Sequence, residues 1–286
     1  MTDNFLPLIQ LGLLSLATGL SLARVDMSSA RWSSSNGMFS LQRIFVRFSL
    51  APLVIQTFAF LFIEHCWLSF FALLLAAPTA ITGIIVCRSL GALVLPTAYA
   101  IVITTVIGAL TTLLLLISGG FSNVTGSLIW LGVVSLAGLL IPSLMAQYLR
   151  HRYPIETASF VERNPALSIL LLTLFVIVSF QTVELKSFWP YGVSASVCAV
   201  LLRLLAFALV RRDNIYAVDD YITMSYPNIF FVIALVSNIG AEEAQAYATW
   251  FLLPMFALMP IDAWLAQRLV VGHNDTRLHD FLKIAR

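Results

Sequence analysis

The chain has 286 residues, of which 60% are hydrophobic and only 10% charged, with a formal net charge of +2. Soluble domains carry about 25% charged residues, so this chain holds more apolar surface than a globular core can bury, and lipid must be its solvent. The small net charge excludes a nucleic-acid partner. Neither the alternation of a membrane barrel nor the amphipathic period of a water-facing helix runs through the apolar stretches.

Nine apolar segments read as spanning helices, near 4–23, 41–63, 66–87, 93–118, 124–148, 164–183, 189–210, 219–238 and 243–271. Basic residues follow the first segment rather than precede it, so it reads as a span and not a cleaved signal peptide. Cys66, Cys87 and Cys198 show no paired spacing, so neither a disulfide framework nor a metal site is expected. Arg24, Arg31, Arg43, Arg150, Arg152, Arg163, Arg211, Arg212, Arg268, Arg277, Lys283 and Arg286 fall on one side of this scheme, and Lys186 on the other. The positive-inside rule then sets the protein in the cell (inner) membrane, with the C-terminus cytoplasmic and the N-terminus outside.

Two spans resemble each other. The third contains AAPTAITGIIVCRSLGA and the eighth SYPNIFFVIALVSNIGA, which aligns Pro78 with Pro227 and Gly91-Ala92 with Gly240-Ala241 without a gap. Proline removes a backbone donor and blocks the carbonyl a turn earlier, and in hydrocarbon the freed groups must find other partners. The two spans run in opposite directions through the membrane. This is the pattern of an inverted repeat with two broken helices that cross near the midplane. Pro52, Pro96, Pro142, Pro254 and Pro260 read as simple kinks.

The order of these features resembles the bile acid:sodium symporter family. The resemblance is carried by LGLLSLATGLSLARVDMSSARW, by LAPLVIQTFAFLF, by LLLAAPTAITG at the first break, and by the Thr-rich IVITTVIGALTTLL. It implies an all-α polytopic fold of two inverted repeats, at 1–122 (four spans, the first helix of the repeat absent) and 123–286 (five spans). It also implies transport of a small organic anion and a sodium site. The sequence departs from the family where that site would be. Gly83 and Ile84 stand where the family has Ser-Asn, and Thr223 to Asn228 stand where it has a Glu-Thr-Gly-x-Gln-Asn motif. Thr82, Thr104, Thr105, Ser225 and Asn228 are the oxygen ligands that remain, and without the carboxylate the expectation is indifference to sodium.

Thr79 and Asn228 follow the two prolines, and with Ser225 they are candidates to touch solute; each can equally serve the backbone groups that proline frees. Thr104 and Thr105, with Thr82, are the candidate cation ligands, against simple bonding back to their own helix. Arg203 lies inside the seventh span and reads as an anion-binding residue, as a side chain that snorkels toward the cytoplasmic surface, or as the partner of Asp262 in the last span. Asp262 has a second reading as a proton-coupling carboxylate. Asp219-Asp220 and Glu242-Glu243 read as helix-start charges, and Asn123 opens a glycosylation sequon.

The expectation is therefore a non-enzymatic secondary transporter that moves a small solute, driven by an ion gradient, with protons favoured over the sodium that the family resemblance implies, and needing no bound cofactor beyond such an ion. A receptor or assembly protein on a transporter-like fold is the alternative, and an intramembrane enzyme a more distant one, because His65, His151, His273 and His279 all fall in loops or the tail.

Overall fold

The computed structural model describes residues 5–27, 41–62, 66–89, 94–118, 124–164, 166–181, 188–210, 217–239 and 242–271. Among them every regular element is a helix. We number them α1 (Leu6–Leu22), α2 (41–62), α3 (Cys66–Ala76), α4 (Thr82–Ser89), α5 (Val94–Ser118), α6 (124–152), α7 (Pro154–Arg163), α8 (Leu167–Phe180), α9 (188–209), α10 (Ala217–Ser225), α11 (Ile229–Ile239), α12 (Glu242–Ala257) and α13 (Met259–Val271). Short π-helical turns interrupt α2 at Val46–Leu50, α6 at Val134–Leu140 and the start of α9 at Phe188–Gly192.

Among the described residues four helices are long and apolar enough to cross a membrane, and the number rises to six if each of two bent pairs forms one span. The bent pairs are α7 with α8, at 58°, and α12 with α13, at 50°. The expectation of nine segments, the third and eighth broken at proline, is redrawn in two further places. The fifth segment continues to Arg152 and is followed by the separate helix α7. The last segment bends near Leu258, between Pro254 and Pro260, as helices do where proline removes a hydrogen bond.

The packing is that of a protein in lipid. On α5, Val106, Leu110, Leu114 and Ile117 form one exposed apolar stripe, while Thr97, Thr104, Gly108, Thr111 and Thr112 face inward and are buried. Large apolar side chains turned outward and small or hydroxylated ones turned inward let helix backbones approach closely where lipid removes the hydrophobic drive between them. The α10–α11 stretch behaves differently, being buried on all sides from Ala217 to Val236, its polar residues Asp219, Asp220, Thr223, Ser225 and Asn228 included, which places it at the centre of the bundle. A polar tie fixes α1 against this centre: Gln10 donates to Ser179 Oγ at 3.2 Å and accepts from Ser237 Oγ at 2.9 Å.

Gly91, Ala92, Gly240, Ala241 and Asn123 lie outside the described residues, as do Arg31, Lys186, Arg211, Arg212, Arg277, Lys283 and Arg286, which carry much of the orientation argument.

Candidate functional site

Both aligned proline segments are broken into two helices, α3 from α4 around Pro78 and α10 from α11 around Pro227. The two gaps lie side by side. Thr79 and Pro227 form an antiparallel bridge, with Ala80 N donating to Tyr226 O at 2.8 Å and Asn228 N donating to Pro78 O at 2.6 Å. Each break thus satisfies part of the other, which answers the several kcal/mol that each freed backbone group would cost in hydrocarbon.

The remaining groups at the breaks are met by side chains. Thr79 N donates to Thr104 Oγ1 at 2.9 Å, and the Thr79 hydroxyl donates to Thr223 O at 3.3 Å. Asn228 Oδ1 accepts from Phe231 N at 3.1 Å and so caps the first turn of α11. Helix α5 reaches the first break because Gly108 has no side chain. A Cβ there would lie 2.4 Å from Ala76 O and 3.3 Å from Pro78 N.

Two buried arginines flank the crossing. Arg47 is fully buried in the π-helical turn of α2. Its Nε donates to Met224 O at 2.6 Å and its Nη1 to Leu75 O at 2.7 Å, while its guanidinium lies 4.0 Å over the Phe48 ring. These carbonyls are the penultimate ones of α10 and α3, where helices leave acceptors unpaired. On the other flank, Arg203 forms a bidentate pair with fully buried Asp262, with Nε–Oδ1 at 2.9 Å and Nη2–Oδ2 at 2.8 Å. Arg203 Nη2 also donates to Met255 O at 3.0 Å, at the bend between α12 and α13. Tyr221 donates to Asp262 Oδ1 at 2.6 Å, and the hydroxyl of Tyr226, a residue of the second gap, donates to Oδ2.

The structure therefore gathers Thr79, Thr104 and Asn228 at the crossing, with Ser225 and Thr82 at the adjoining helix ends. Ser225 Oγ and Thr105 Oγ1 both turn back onto their own helices, to Tyr221 O at 2.7 Å and to Ile101 O at 2.6 Å. Arg203 is engaged with Asp262 rather than standing open, and Asp220 at the start of α10 receives Arg43 Nη1 at 3.1 Å. Arg47 went unread in the sequence although its signal was plain, a charge inside the apolar run of the second segment, one turn past Arg43.

Around the crossing, Arg47 Nη2, Thr82 Oγ1, Thr223 Oγ1 and Asn228 Nδ2 are buried with no hydrogen-bond partner among the described residues. Folded proteins leave few such groups, and each calls for a partner, water included.

Taken together, the lipid-facing stripes and the buried polar centre define an all-helical membrane protein. No protein-family model matches the chain, and no curated protein matches it.

Proposed function

We propose that the chain is a secondary transporter that carries a small organic anion across the cell membrane, with an inverted-repeat, bile acid:sodium symporter-like fold. Its repeats are 1–122 and 123–286, its nine spans begin outside, and its C-terminus is cytoplasmic. The observation that carries this reading is the antiparallel contact between the two broken spans at Thr79 and Pro227. Irregular backbone at membrane depth is tolerated where it is buried in protein or lines a solute path, and paired breaks on neighbouring helices are the usual form of such a path.

The polarity of the site suits an anion. Asn228 Nδ2 at the start of α11 and Thr82 Oγ1 at the start of α4 are unpartnered groups able to donate, beside helix N-termini where negative charge is favoured. We assign solute contact to Asn228, Thr79 and Thr82, with Ser225 at the edge. Thr104 holds the first break in place, and Arg203 and Asp262 anchor Tyr226 in the second.

The test is uptake into proteoliposomes of labelled organic anions, chosen from carboxylates and sulfonates that shift the melting temperature of the purified protein. Uptake should occur with the wild type and fall at least tenfold with Asn228→Leu. A protein that moves none of the anions that stabilise it would favour the receptor reading instead.

A further inference from the structure

In the sequence alignment of the two breaks, Pro78 matches Pro227, so Leu75 matches Met224. Arg47 donates to both of these carbonyls, at 2.7 and 2.6 Å. A single guanidinium thus spans two equivalent positions, one in each half of the pseudo-symmetric crossing. Both are the last-turn carbonyls of half-helices, α3 and α10, whose C-termini converge there. A helix C-terminus carries roughly half a negative charge, so two together present about one, which one guanidinium balances. Half-helix C-terminal ends and unwound carbonyls are also where transporters of this architecture hold a free cation.

We propose that Arg47 is a tethered cation, permanently occupying the position between the two half-helix C-termini, so that the protein binds and moves its solute without a free sodium ion. Removing the side chain opens a site for a small monovalent cation or a free guanidinium. The surroundings are built for a fixed occupant. The guanidinium is fully buried, its face is covered by Phe48 at 4.0 Å, and two of its donors end on backbone rather than on a movable side chain. The third nitrogen, Nη2, has no partner among the described residues and leaves its two N–H groups at the crossing for solute. Both acceptors are backbone carbonyls and neither is a carboxylate, so the charge of Arg47 is set against the helix ends.

The consequence for transport rests on the transporter reading, whereas the cation site does not, so the primary readout is thermal stability of the purified protein. Wild type and Arg47→Lys should melt at the same temperature in sodium chloride and in choline chloride of equal ionic strength. Arg47→Ala should melt about 5–10 °C lower in choline, because two buried carbonyls lose their donors. It should regain at least half of that loss in millimolar guanidinium or sodium, but not in more choline. No cation-specific recovery by Arg47→Ala overturns the proposal. If Arg47→Ala cannot be isolated in any of these salts, the other two proteins decide, and a gain of more than about 2 °C in sodium by either also overturns it. Uptake by the wild type should continue when choline replaces sodium. If it needs sodium, the tethered-cation proposal falls; a complete absence of uptake would count against the transporter reading alone.

Discussion

Gly108 is the point where the packing can be tested most sharply. A Cβ at this position would lie 2.4 Å from the Ala76 carbonyl oxygen, 3.3 Å from Pro78 N and 3.4 Å from Pro78 Cδ. The nearest of these is backbone already fixed by the break, so it cannot rotate aside. Restoring an ordinary carbon–oxygen contact requires α5 to move away from the crossing by about 1 Å, and overpacking of this kind costs about 1–3 kcal/mol or somewhat more. A backbone clash as short as this one puts the cost near the upper end of that range, and alanine regains about 1 kcal/mol of helix propensity, so the expected net loss for Gly108→Ala is about 2 kcal/mol. Gly132 supplies the comparison, since a Cβ there meets nothing within 4 Å. Gly132→Ala should be neutral or stabilising by up to about 1 kcal/mol. Both variants can be followed by thermal unfolding in detergent, where the pair should differ by roughly 5–10 °C. Equal melting temperatures would mean that α5 does not press against the first break, and the account of how that break is held would fail.

The hydroxyls of Thr104 and Thr105 should separate cleanly. Thr104→Val removes the acceptor of Thr79 N and should cost about 1–3 kcal/mol, while Thr105→Val removes only a bond back to Ile101 O and should cost under about 0.5 kcal/mol by the same melt. Arg203→Met leaves the Asp262 carboxylate buried and uncompensated and should destabilise by about 3–5 kcal/mol; adding Asp262→Leu should recover much of that loss, and strict additivity of the two would argue against the pair. Asn228→Leu removes the cap on Phe231 N and should lower stability by only about 1 kcal/mol while abolishing uptake, so that expression and activity part company.

The two breaks were legible in the sequence because proline cannot be absorbed silently in lipid, and because the same Pro and Gly-Ala spacing occurs twice. That they meet followed from the repeat and is seen in the bridge between Thr79 and Pro227. The Arg203–Asp262 pair was one of several readings open for those residues, since a charge at that depth is costly without a partner and Asp262 was the carboxylate at comparable depth. The tyrosines that complete this network were not legible. Nothing in the sequence around Tyr221 and Tyr226 points to Asp262, and only the fold aims both hydroxyls at one carboxylate. Arg47 was overlooked beside Arg43, although depth separates them: Arg43 is partly exposed beside Asp220, and Arg47 is at the centre. The role of Gly108 depends on a distance across two spans that no local pattern encodes. The bends at Arg163–Leu167 and near Leu258 were missed because hydropathy records how apolar a stretch is, not its direction.

The central claim, that the two broken spans meet at one point, is open to a direct chemical test. Ala80 N–Tyr226 O and Asn228 N–Pro78 O flank Thr79 and Pro227, which makes them a non-hydrogen-bonded antiparallel pair. The Cα atoms of such a pair lie about 4.5 Å apart, within the range a disulfide accepts. In a background with Cys66, Cys87 and Cys198 replaced by Ala, and with a protease site inserted between residues 211 and 216, Thr79→Cys and Pro227→Cys should be combined and oxidised in native membranes. The account predicts that, after cleavage, the two fragments stay joined on a non-reducing gel and separate on reduction. Fragments that separate without reductant, with both thiols still free to react with maleimide once the protein is unfolded, would contradict it.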